Sequence, residues 1–334
     1  MIIAFLDILG FTQLVEHNYQ TALDNLYEFN RYIDTARNDS KLYPAESYKD
    51  PELQEFVNKH YVTSFENILT MSDSLVIATN NTTDFIKQLS SMLCHLFMAT
   101  TKNFSKPFDN IYNVDSSKNV QSYIVEENGE REYRFEYHKT FPLLFRGGIT
   151  VEKDHKLPDG TQVKGIAFFE QSQVIDGKNV TGWNVCGPEY VDAVKLENCG
   201  KGPRLFCDKF FYDKIEENER KYLRKVDENT YEILWTYECC TCGSQSSEIQ
   251  SNVYTGIHYF LEPSIRLYKY YKRYQNEDIK GNSSIEELFK HYKQLVILVC
   301  RGIYKYAVEN GISHEKIKEQ LEAKIADLHI FWEL

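Results

Sequence analysis

Hydrophobic and polar positions along the chain predict a definite order of strands and helices. Residues 2–8 (IIAFLDI) form an apolar run of strand length, and apolar residues at helical spacing predict a helix near 18–37. Residues 65–78 (FENILTMSDSLVIA) hold two apolar segments around a polar break, which is typical of a β-hairpin with Asp73 at its tip. A second amphipathic helix is predicted over about 83–103.

The pattern continues with further strand and helix signals. Residues 141–151 (FPLLFRGGITV) predict a strand that two glycines interrupt, a helix begins near Pro188, and residues 203–207 (PRLFC) predict a short strand. The order strand, helix, hairpin, helix, strand is that of a ferredoxin-like α/β (α+β) layer. Two amphipathic segments at 284–309 and 314–331 predict helices near the end of the chain.

Two polar stretches interrupt this predicted core. Residues 38–60 contain two prolines and predict an inserted loop or partial helix. Residues 105–140 predict a second insertion with a hairpin around Asn128-Gly129. We therefore predict an α/β domain over 1–210 and a mixed, then helical, C-terminal appendage over 211–334.

Composition and charge narrow the class of function. The 334 residues are 42% hydrophobic, which is enough for a sizeable core, and carry a net charge of −11. Proteins that coat nucleic acid neutralise phosphates with clustered Lys and Arg, so we expect no nucleic-acid partner. The aromatic and basic run at 268–274 (YKYYKRY) is interpreted as one face of an amphipathic helix rather than as a stacking groove.

No segment has the pattern of a secretion signal or a membrane anchor. The N-terminus lacks a basic region, and the apolar run at 294–300 is far shorter than the about 20 residues of a membrane span. We therefore expect a soluble, cytoplasmic protein without a membrane partner, whose eight cysteines are reduced thiols. Cys239, Cys240 and Cys242 resemble half of a zinc site, but no matching pair lies nearby in sequence, so thiols are preferred here too.

Two aspartates are candidates for binding metal. A carboxylate at the end of a buried strand, as predicted for Asp7, is costly unless a cation pairs with it. If the strand and the hairpin are neighbours, Asp7 and Asp73 converge beside the turn made by Gly10, Phe11 and Thr12. Such a site suits Mg²⁺ or Mn²⁺ carrying a triphosphate, and the start of the following helix favours phosphate. A single aspartate near a strand end is more often a turn residue, so the interpretation depends on the combination.

Four segments in this order resemble the class III nucleotide cyclases, which are the adenylate and guanylate cyclase family. The segments are FLDILGFTQLVE (5–16), MSDSLVIA (71–78), FRGGITV (145–151) and GWNVCGPEYVDAVKLE (182–197). They resemble the family's first metal strand with its phosphate turn, its metal hairpin, its central strand, and its base-reading loop with the following helix. The resemblance spans about residues 1–210 and does not cover 211–334.

The resemblance implies a role for each matching residue. Asp7 and Asp73, with the backbone carbonyl of Ile8, are implied to hold two divalent ions, Mn²⁺ or Mg²⁺, in each active site. The residues implied to bind a nucleoside triphosphate are Gly10, Phe11 and Thr12 at the phosphates and Leu69 and Asn184 at the base. The implied reaction is attack of the ribose 3′-hydroxyl on the α-phosphate with loss of pyrophosphate, which makes the enzyme a phosphorus–oxygen lyase.

Leu69 and Asn184 stand at the two positions where the family reads its base. Adenylate cyclases have Lys with Asp or Thr there, and guanylate cyclases typically have Glu with Cys, so neither purine pattern is present. Leucine cannot donate to a purine nitrogen, and leaving that edge unpaired costs about 1–3 kcal/mol. The Asn184 amide complements uracil or, when flipped, cytosine. We therefore expect a pyrimidine triphosphate as substrate, UTP ahead of CTP.

The resemblance extends to the pyrimidine cyclases of bacterial anti-phage signalling, whose cyclic UMP or cyclic CMP activates a separate effector. It also implies a head-to-tail homodimer with active sites shared between the two chains. The family's transition-state Asn and Arg fall on Val191 and Lys195, and Lys195 keeps the charge of Arg without its planar fork. Arg146 or Arg204 is a candidate replacement. The alternative is a catalytically inactive cyclase fold that senses a nucleotide or a partner.

Overall fold

The computed structural model describes residues 1–17, 19–42, 50–101, 119–127, 130–138, 142–175, 177–242, 247–276 and 283–332. The strands are β1 (Ile2–Ile8), β2 (Asn67–Met71), β3 (Ser74–Thr79), β4 (Asn119–Glu127), β5 (Glu130–His138), β6 (Phe145–Val151), β7 (His155–Lys156), β8 (Gln162–Val163), β9 (Ala167–Ile175), β10 (Lys178–Cys186), β11 (Leu205–Asp208), β12 (Leu223–Lys225) and β13 (Thr230–Ile233). The helices are α1 (Phe11–His17), α2 (Tyr19–Leu42), α3 (Pro51–His60), α4 (Phe85–Thr101), α5 (Pro188–Glu197), α6 (Lys209–Lys214), α7 (Ile249–Gly256), α8 (Glu262–Asn276), α9 (Ser283–Glu309) and α10 (His314–Ile325).

Seven of these strands form one sheet in the order β12-β13-β11-β6-β1-β3-β2. The neighbours β6, β1, β3 and β2 are all antiparallel, and the connecting helices α2 and α4 complete a ferredoxin-like layer. The predicted α/β fold is therefore confirmed. Strand β11 lies parallel to β6, and β13 and β12 then extend the sheet in antiparallel fashion.

Strand β1 is buried on both faces at the centre of this sheet. Ile2 and Leu6 pack into the large core shared with α2 and α4. Ile3 and Phe5 point the other way, into a smaller cluster that includes Ala193 of α5. Because both faces are covered, the strand has a nearly continuous apolar sequence instead of an alternating one.

Two glycines allow β6 to lie tightly between β1 and α5. A Cβ atom on Gly148 would come within 2.0 Å of the Ala193 carbonyl oxygen, and one on Gly147 within 2.2 Å of the Phe5 carbonyl oxygen. The strand runs through both glycines from Phe145 to Val151. The sequence had predicted that the two glycines interrupt the strand, and this prediction is wrong. The glycines instead permit close approach of the neighbouring backbones.

Helices near the N-terminus differ in extent from the prediction. The structure has two, α1 and α2, in place of one helix near 18–37. Inside the predicted insertion at 38–60, α3 begins where Asp50 accepts a hydrogen bond from the Glu52 N–H at 3.0 Å. The second insertion contains β4 paired with β5, while the predicted turn at Asn128-Gly129 lies outside the described residues.

The region after residue 210 is packed into the same body as the preceding part. Strands β12 and β13 belong to the central sheet, and the main core continues into α9 through Leu295 and Val299. The Thr236 hydroxyl donates to the Leu298 carbonyl of α9 at 2.7 Å. The C-terminal region is helical from α7 onwards, as predicted. It shares the main core with the rest of the chain and is not a separate appendage. The domain boundary at 210 stays a prediction. None of the described helices combines the length and apolarity that a membrane span requires.

Candidate active site

The end of β1 and the β2–β3 turn bring Asp7 and Asp73 to one cleft of about 310 Å³. The Ile8 N–H donates to the Asp73 carbonyl at 3.0 Å, and Asp7 lies opposite Ser74 in the β1–β3 register. Ser72 begins the two-residue turn with φ of 57°, a left-handed conformation that tight hairpin turns require. The two carboxylates therefore line a common cleft, and their role as metal ligands stays a prediction.

Arg146 connects Asp7 to a third carboxylate. It lies directly across from Asp7 in the β1–β6 register, and its Nη2 donates to Asp7 Oδ2 at 3.0 Å. Its Nε lies 2.6 Å from an oxygen of Glu197, the last residue of α5. The Ser74 hydroxyl donates to the other Asp7 oxygen at 3.0 Å. The guanidinium is thus shared between two acidic side chains at the edge of the cleft.

The electrostatics of the cleft are dominated by its carboxylates. Burial raises the pKa of Asp7, the hydrogen bonds from Arg146 and Ser74 oppose that rise, and the charge of Asp73 adds to it. Burial likewise raises the pKa of Glu197. The charge of Arg146 lowers this pKa, and the charges of Asp7 and Asp73 raise it further. Negative charge is therefore only partly compensated, and a further cation would be stabilised here.

The donor set fits a divalent ion that arrives with a phosphate ligand. Mg²⁺ and Mn²⁺ prefer oxygen, and Mg²⁺ is usually held by one or two carboxylates together with water and substrate phosphates. Within the described ranges, no three His, Cys, Asp or Glu side chains are grouped as ligands of one ion. Asp7, Asp73 and the Ile8 carbonyl would therefore leave the remaining positions to water and phosphate.

The predicted phosphate turn lines the same cleft through Gly10, Phe11 and Thr12. Gly10 has φ of 78°, which glycine adopts without the steric cost of a Cβ atom. The Leu14 N–H donates to the Gly10 carbonyl at 3.1 Å and starts α1. The helix is only seven residues long, so the turn itself, rather than a long helix dipole, supplies the polar backbone.

The predicted base-reading residues are not brought together within one chain. Leu69 lines a cleft of about 460 Å³ together with Phe168 and Trp183. Side chains alternate between the two faces of a strand, so Asn184 lies on the face of β10 opposite to that of Trp183. It pairs there with Phe169, which is exposed. Asn184 is not among the residues that line the Leu69 cleft. The joint role of Leu69 and Asn184 stays a prediction, and Trp183 was not foreseen from the sequence.

Lys195 does not line the Asp7 cleft. Its side chain is 72% exposed and lies 3.6 Å from Asp192, one turn earlier on α5. Val191 is also exposed. Of the two arginines considered as substitutes, Arg204 is paired with a buried glutamate elsewhere, whereas Arg146 is in the cleft.

Several residues of the cleft were not singled out from the sequence. They are Glu197, Asn198, Gly200, Lys201, Gly202 and His291. Glu197 ended the segment that resembles the family helix, so its position was available as a signal. His291 belongs to α9, in the part of the chain without a family counterpart, and no pattern in the sequence pointed to it.

The cysteine cluster considered as half of a zinc site is part of the core. Cys239, Cys240 and Cys242 are buried, and the Sγ of Cys239 lies 3.8 Å from that of Cys94. Burial raises the pKa of Cys239 to about 11, so the thiol is protonated at neutral pH. These side chains behave as small apolar residues of the core.

Comparison with known proteins finds structural neighbours. No family model and no curated protein matches the chain. The dimeric guanylyl cyclase domain of the RhoGC fusion protein from the aquatic fungus Blastocladiella emersonii is 12% identical, with a TM-score of 0.32, over 70% of this chain and 94% of that one. The adenylyl cyclase CyaB from P. aeruginosa is 13% identical, with a TM-score of 0.33, over 70% of this chain and 92% of that one. The α/β fold of this chain follows from its own strand order and does not depend on these identities or TM-scores.

Proposed function

We propose that the protein is a nucleotide cyclase that converts a pyrimidine triphosphate, UTP ahead of CTP, to a 3′,5′-cyclic monophosphate and pyrophosphate. The observation that carries this proposal is the cleft in which Asp7 and Asp73 lie beside the Gly10 turn. Its uncompensated negative charge suits divalent ions that bring a triphosphate. The four sequence segments that resemble class III cyclases add support, because their order along the chain matches the order of the elements around the cleft.

Asp7, Asp73 and the Ile8 carbonyl would hold the Mg²⁺ or Mn²⁺ ions, two for each site. When bound, such ions neutralise phosphate charge and lower the pKa of a coordinated hydroxyl. The Gly10 turn would orient the phosphates. The Arg146 guanidinium, held between Asp7 and Glu197, has the planar donor set that suits phosphate oxygens.

In the proposed reaction the ribose 3′-oxygen forms a bond to the α-phosphorus while the bond to the pyrophosphate oxygen breaks. The hydroxyl proton passes to solvent water. Negative charge grows on the leaving oxygen, and Arg146 would stabilise that charge in place of the family residues at positions 191 and 195. Glu197 would keep Arg146 aligned through its Nε. The Nη2 atom, which donates to Asp7 in this structure, would turn to phosphate once the ions bind Asp7.

The base is proposed to meet Leu69, Trp183 and Asn184. An indole ring such as that of Trp183 offers a stacking surface for any base. Leu69 supplies no hydrogen bond to a purine edge. Asn184 is exposed to solvent in the single chain, so its contact with the base depends on the proposed head-to-tail homodimer.

Exposed apolar side chains support the dimer proposal. Phe169 and Trp183, on opposite faces of the β9–β10 hairpin, are 52% and 49% exposed. Phe169 shares its face with Asn184, and large apolar rings that are open to solvent are typical of contact with another chain. Light scattering of the purified protein should give the mass of a dimer; a monomer at all concentrations would remove Asn184 from the proposed site.

The test of activity is to incubate the protein with Mn²⁺ and each of ATP, GTP, CTP and UTP, and to identify products by mass spectrometry. We expect cyclic UMP or cyclic CMP from wild type and no cyclic product from Asp73→Ala. Asp213→Ala, on an exposed aspartate of α6, is the matched control and should keep full turnover. A cyclic purine would refute the base assignment, and unchanged turnover in Asp73→Ala would refute the metal site.

The base assignment has a separate test. Leu69→Lys and Leu69→Glu should move the triphosphate preference towards purines, because each restores a polar partner for the ring. Competition among equal concentrations of the four triphosphates measures that preference. An unaltered preference would mean that another residue reads the base.

One observation favours the alternative, a catalytically inactive nucleotide sensor: Lys195 and Val191 are exposed outside the cleft. An inactive sensor would still gain thermal stability from a triphosphate and a divalent ion. It would release no pyrophosphate. Measuring both quantities on the same sample separates the two functions.

We further propose that the cyclic product is a second messenger read by a separate effector in bacterial anti-phage signalling. This part depends on the sequence resemblance. Bacteria that carry the protein with its effector should resist phage, and Asp73→Ala should abolish that resistance.

A further inference from the structure

One wall of the Asp7 cleft comes from the C-terminal region. His291 of α9 lines the cleft together with Asp7, Asp73 and Arg146. This helix lies in the part of the chain, 211–334, to which no role was assigned from the sequence. The cleft is therefore built by two regions that are more than 200 residues apart along the chain.

The loop between α5 and β11 packs directly on this helix. Gly202 has φ of 94°, and a Cβ atom there would lie 2.5 Å from Cβ of Gln294 and 3.5 Å from the His291 carbonyl oxygen. Gly200 and Lys201 of the same loop also line the cleft. The loop and α9 thus form one continuous wall, and the absence of a side chain at Gly202 lets them touch.

The helix is held firmly to the sheet. Arg301 places an Nη1 atom 3.8 Å from buried Glu232 of β13. A Cβ atom on Gly302 would come within 2.4 Å of the backbone of Thr236, so α9 and the segment after β13 are in backbone contact. Because α9 cannot shift away without breaking these contacts, His291 is positioned by the tertiary structure and not by a flexible tail.

The neighbours of His291 point to a phosphate ligand. It shares its cleft with the Gly10 turn, with the cationic side chains of Arg146 and Lys201, and with three carboxylates whose charge the divalent ions would offset. Leu69 lines the other cleft, with Trp183, so the base side of the proposed site is elsewhere. An imidazole donates to phosphate oxygens when neutral and adds positive charge when protonated.

We propose that His291 is a substrate-binding residue that contacts the polyphosphate of the nucleoside triphosphate, and that α9 is therefore part of the active site. The identity of the ligand rests on the proposed function. With Lys201 beside it, His291 would favour the triphosphate over the monophosphate, since only the former reaches the wall formed by α9 and the loop.

The test compares binding of UTP and UMP, each with Mg²⁺, by calorimetry on the full chain. His291→Ala should weaken UTP about tenfold, the usual loss for a hydrogen bond to a charged group, and leave the UMP affinity unchanged. His291→Gln, which keeps a donor at the end of the side chain, should recover part of the loss. His314→Ala, on a histidine of α10 that does not line the cleft, should bind both ligands like wild type.

Equal UTP affinity in His291→Ala and wild type would overturn the proposal, as would an equal loss for UTP and UMP. If His291→Ala does not fold, His291→Leu, which keeps the bulk of the side chain and has no donor, decides in the same way. Wild type that binds UTP but makes no cyclic product would remove the proposed activity and leave this inference intact. Wild type that binds no triphosphate would overturn both.

Discussion

Two groups of charged side chains on the same sheet differ in their balance of charge. Around Asp7, three carboxylates, those of Asp7, Asp73 and Glu197, line a cleft with two cationic side chains, Arg146 and Lys201. Burial raises the pKa of Asp7 and of Glu197. Around Glu232 of β13, one carboxylate with no exposed surface meets three arginines. These are Arg204, Arg224 with its Nη2 at 2.7 Å, and Arg301 with its Nη1 at 3.8 Å.

The direction of the pKa shift separates the two groups. Burial alone would raise the pKa of Glu232, but the hydrogen bonds and charges of Arg204 and Arg224 outweigh it and lower that pKa. Glu232 is therefore a satisfied anion that links β12, α9 and the residue before β11. The Asp7 group has more carboxylates than cationic side chains, which is typical of a site that binds a further cation.

The largest expected effect is the loss of stability on removal of Glu232, the carboxylate that is paired with three arginines. Glu232→Ala leaves several guanidiniums without their buried partner, and removing one member of a buried ion pair costs about 3–5 kcal/mol. Urea unfolding should show a free energy of unfolding lower by about that amount. Glu228→Ala, on an exposed glutamate nearby, should change it by less than about 0.5 kcal/mol. A small loss in Glu232→Ala would mean that the network does not hold the sheet and α9 together.

Removing the arginine of the Asp7 group should have a smaller effect. Arg146→Ala leaves Asp7 and Glu197 without their shared partner and should lower the free energy of unfolding by about 1–3 kcal/mol. Because the cleft then carries more uncompensated negative charge, Mn²⁺ should raise the melting temperature of the variant more than that of wild type. An equal Mn²⁺ effect in both proteins would contradict the idea that charge imbalance recruits the ion.

The pH dependence should differ in sign between a raised and a lowered carboxyl pKa. Asp7 holds its proton more tightly in the folded protein, so its contribution to stability is present below its ordinary pKa of 3.8 and is lost as the pH rises through the raised value. In metal-free buffer, Asp7→Asn should avoid this loss and gain stability relative to wild type across that window.

Asp159 provides the opposite case for comparison. The Thr161 N–H lowers the pKa of Asp159, so its contribution to stability is lost as the pH falls through the folded pKa. Asp159→Asn should therefore lose stability relative to wild type as the pH rises from the lowered folded pKa to 3.8, which is below the window of Asp7. Melting temperatures of both variants and wild type between pH 2 and pH 7 check the two signs, and a stability difference for Asp7→Asn that does not change above pH 3.8 would contradict the assignment for Asp7.

The smallest effect is expected at the turn that carries Asp73. Ser72 has φ of 57°, where an L-residue is strained and glycine is not, so Ser72→Gly should raise the free energy of unfolding by no more than about 1 kcal/mol. Ser74→Gly should lower it, since the Ser74 hydroxyl bonds Asp7 and glycine weakens a strand. Thermal melts of the two variants check these signs. A lower melting temperature in Ser72→Gly would mean that the serine side chain stabilises the turn.

The sequence by itself determined the central layer and the meeting of its two aspartates. The apolar run of β1 and the two apolar halves of the hairpin are local patterns that predict strands. The few topologies open to strand, helix and hairpin then make β1 and β3 neighbours, which brings Asp7 beside Asp73. A glycine with positive φ at position 10 was likewise readable, because turn chemistry is local.

Only the tertiary structure decided what surrounds those aspartates. Asn184 does not line the Leu69 cleft of its own chain and Lys195 does not line the Asp7 cleft, because the face that a residue presents depends on how its element packs. Their proposed roles stay predictions. Arg146 and Glu197 pair across β6 and α5, and His291 reaches the cleft from α9. These contacts join residues far apart in the chain, and periodicity, which reports only on neighbours a few positions away, contains no information about them.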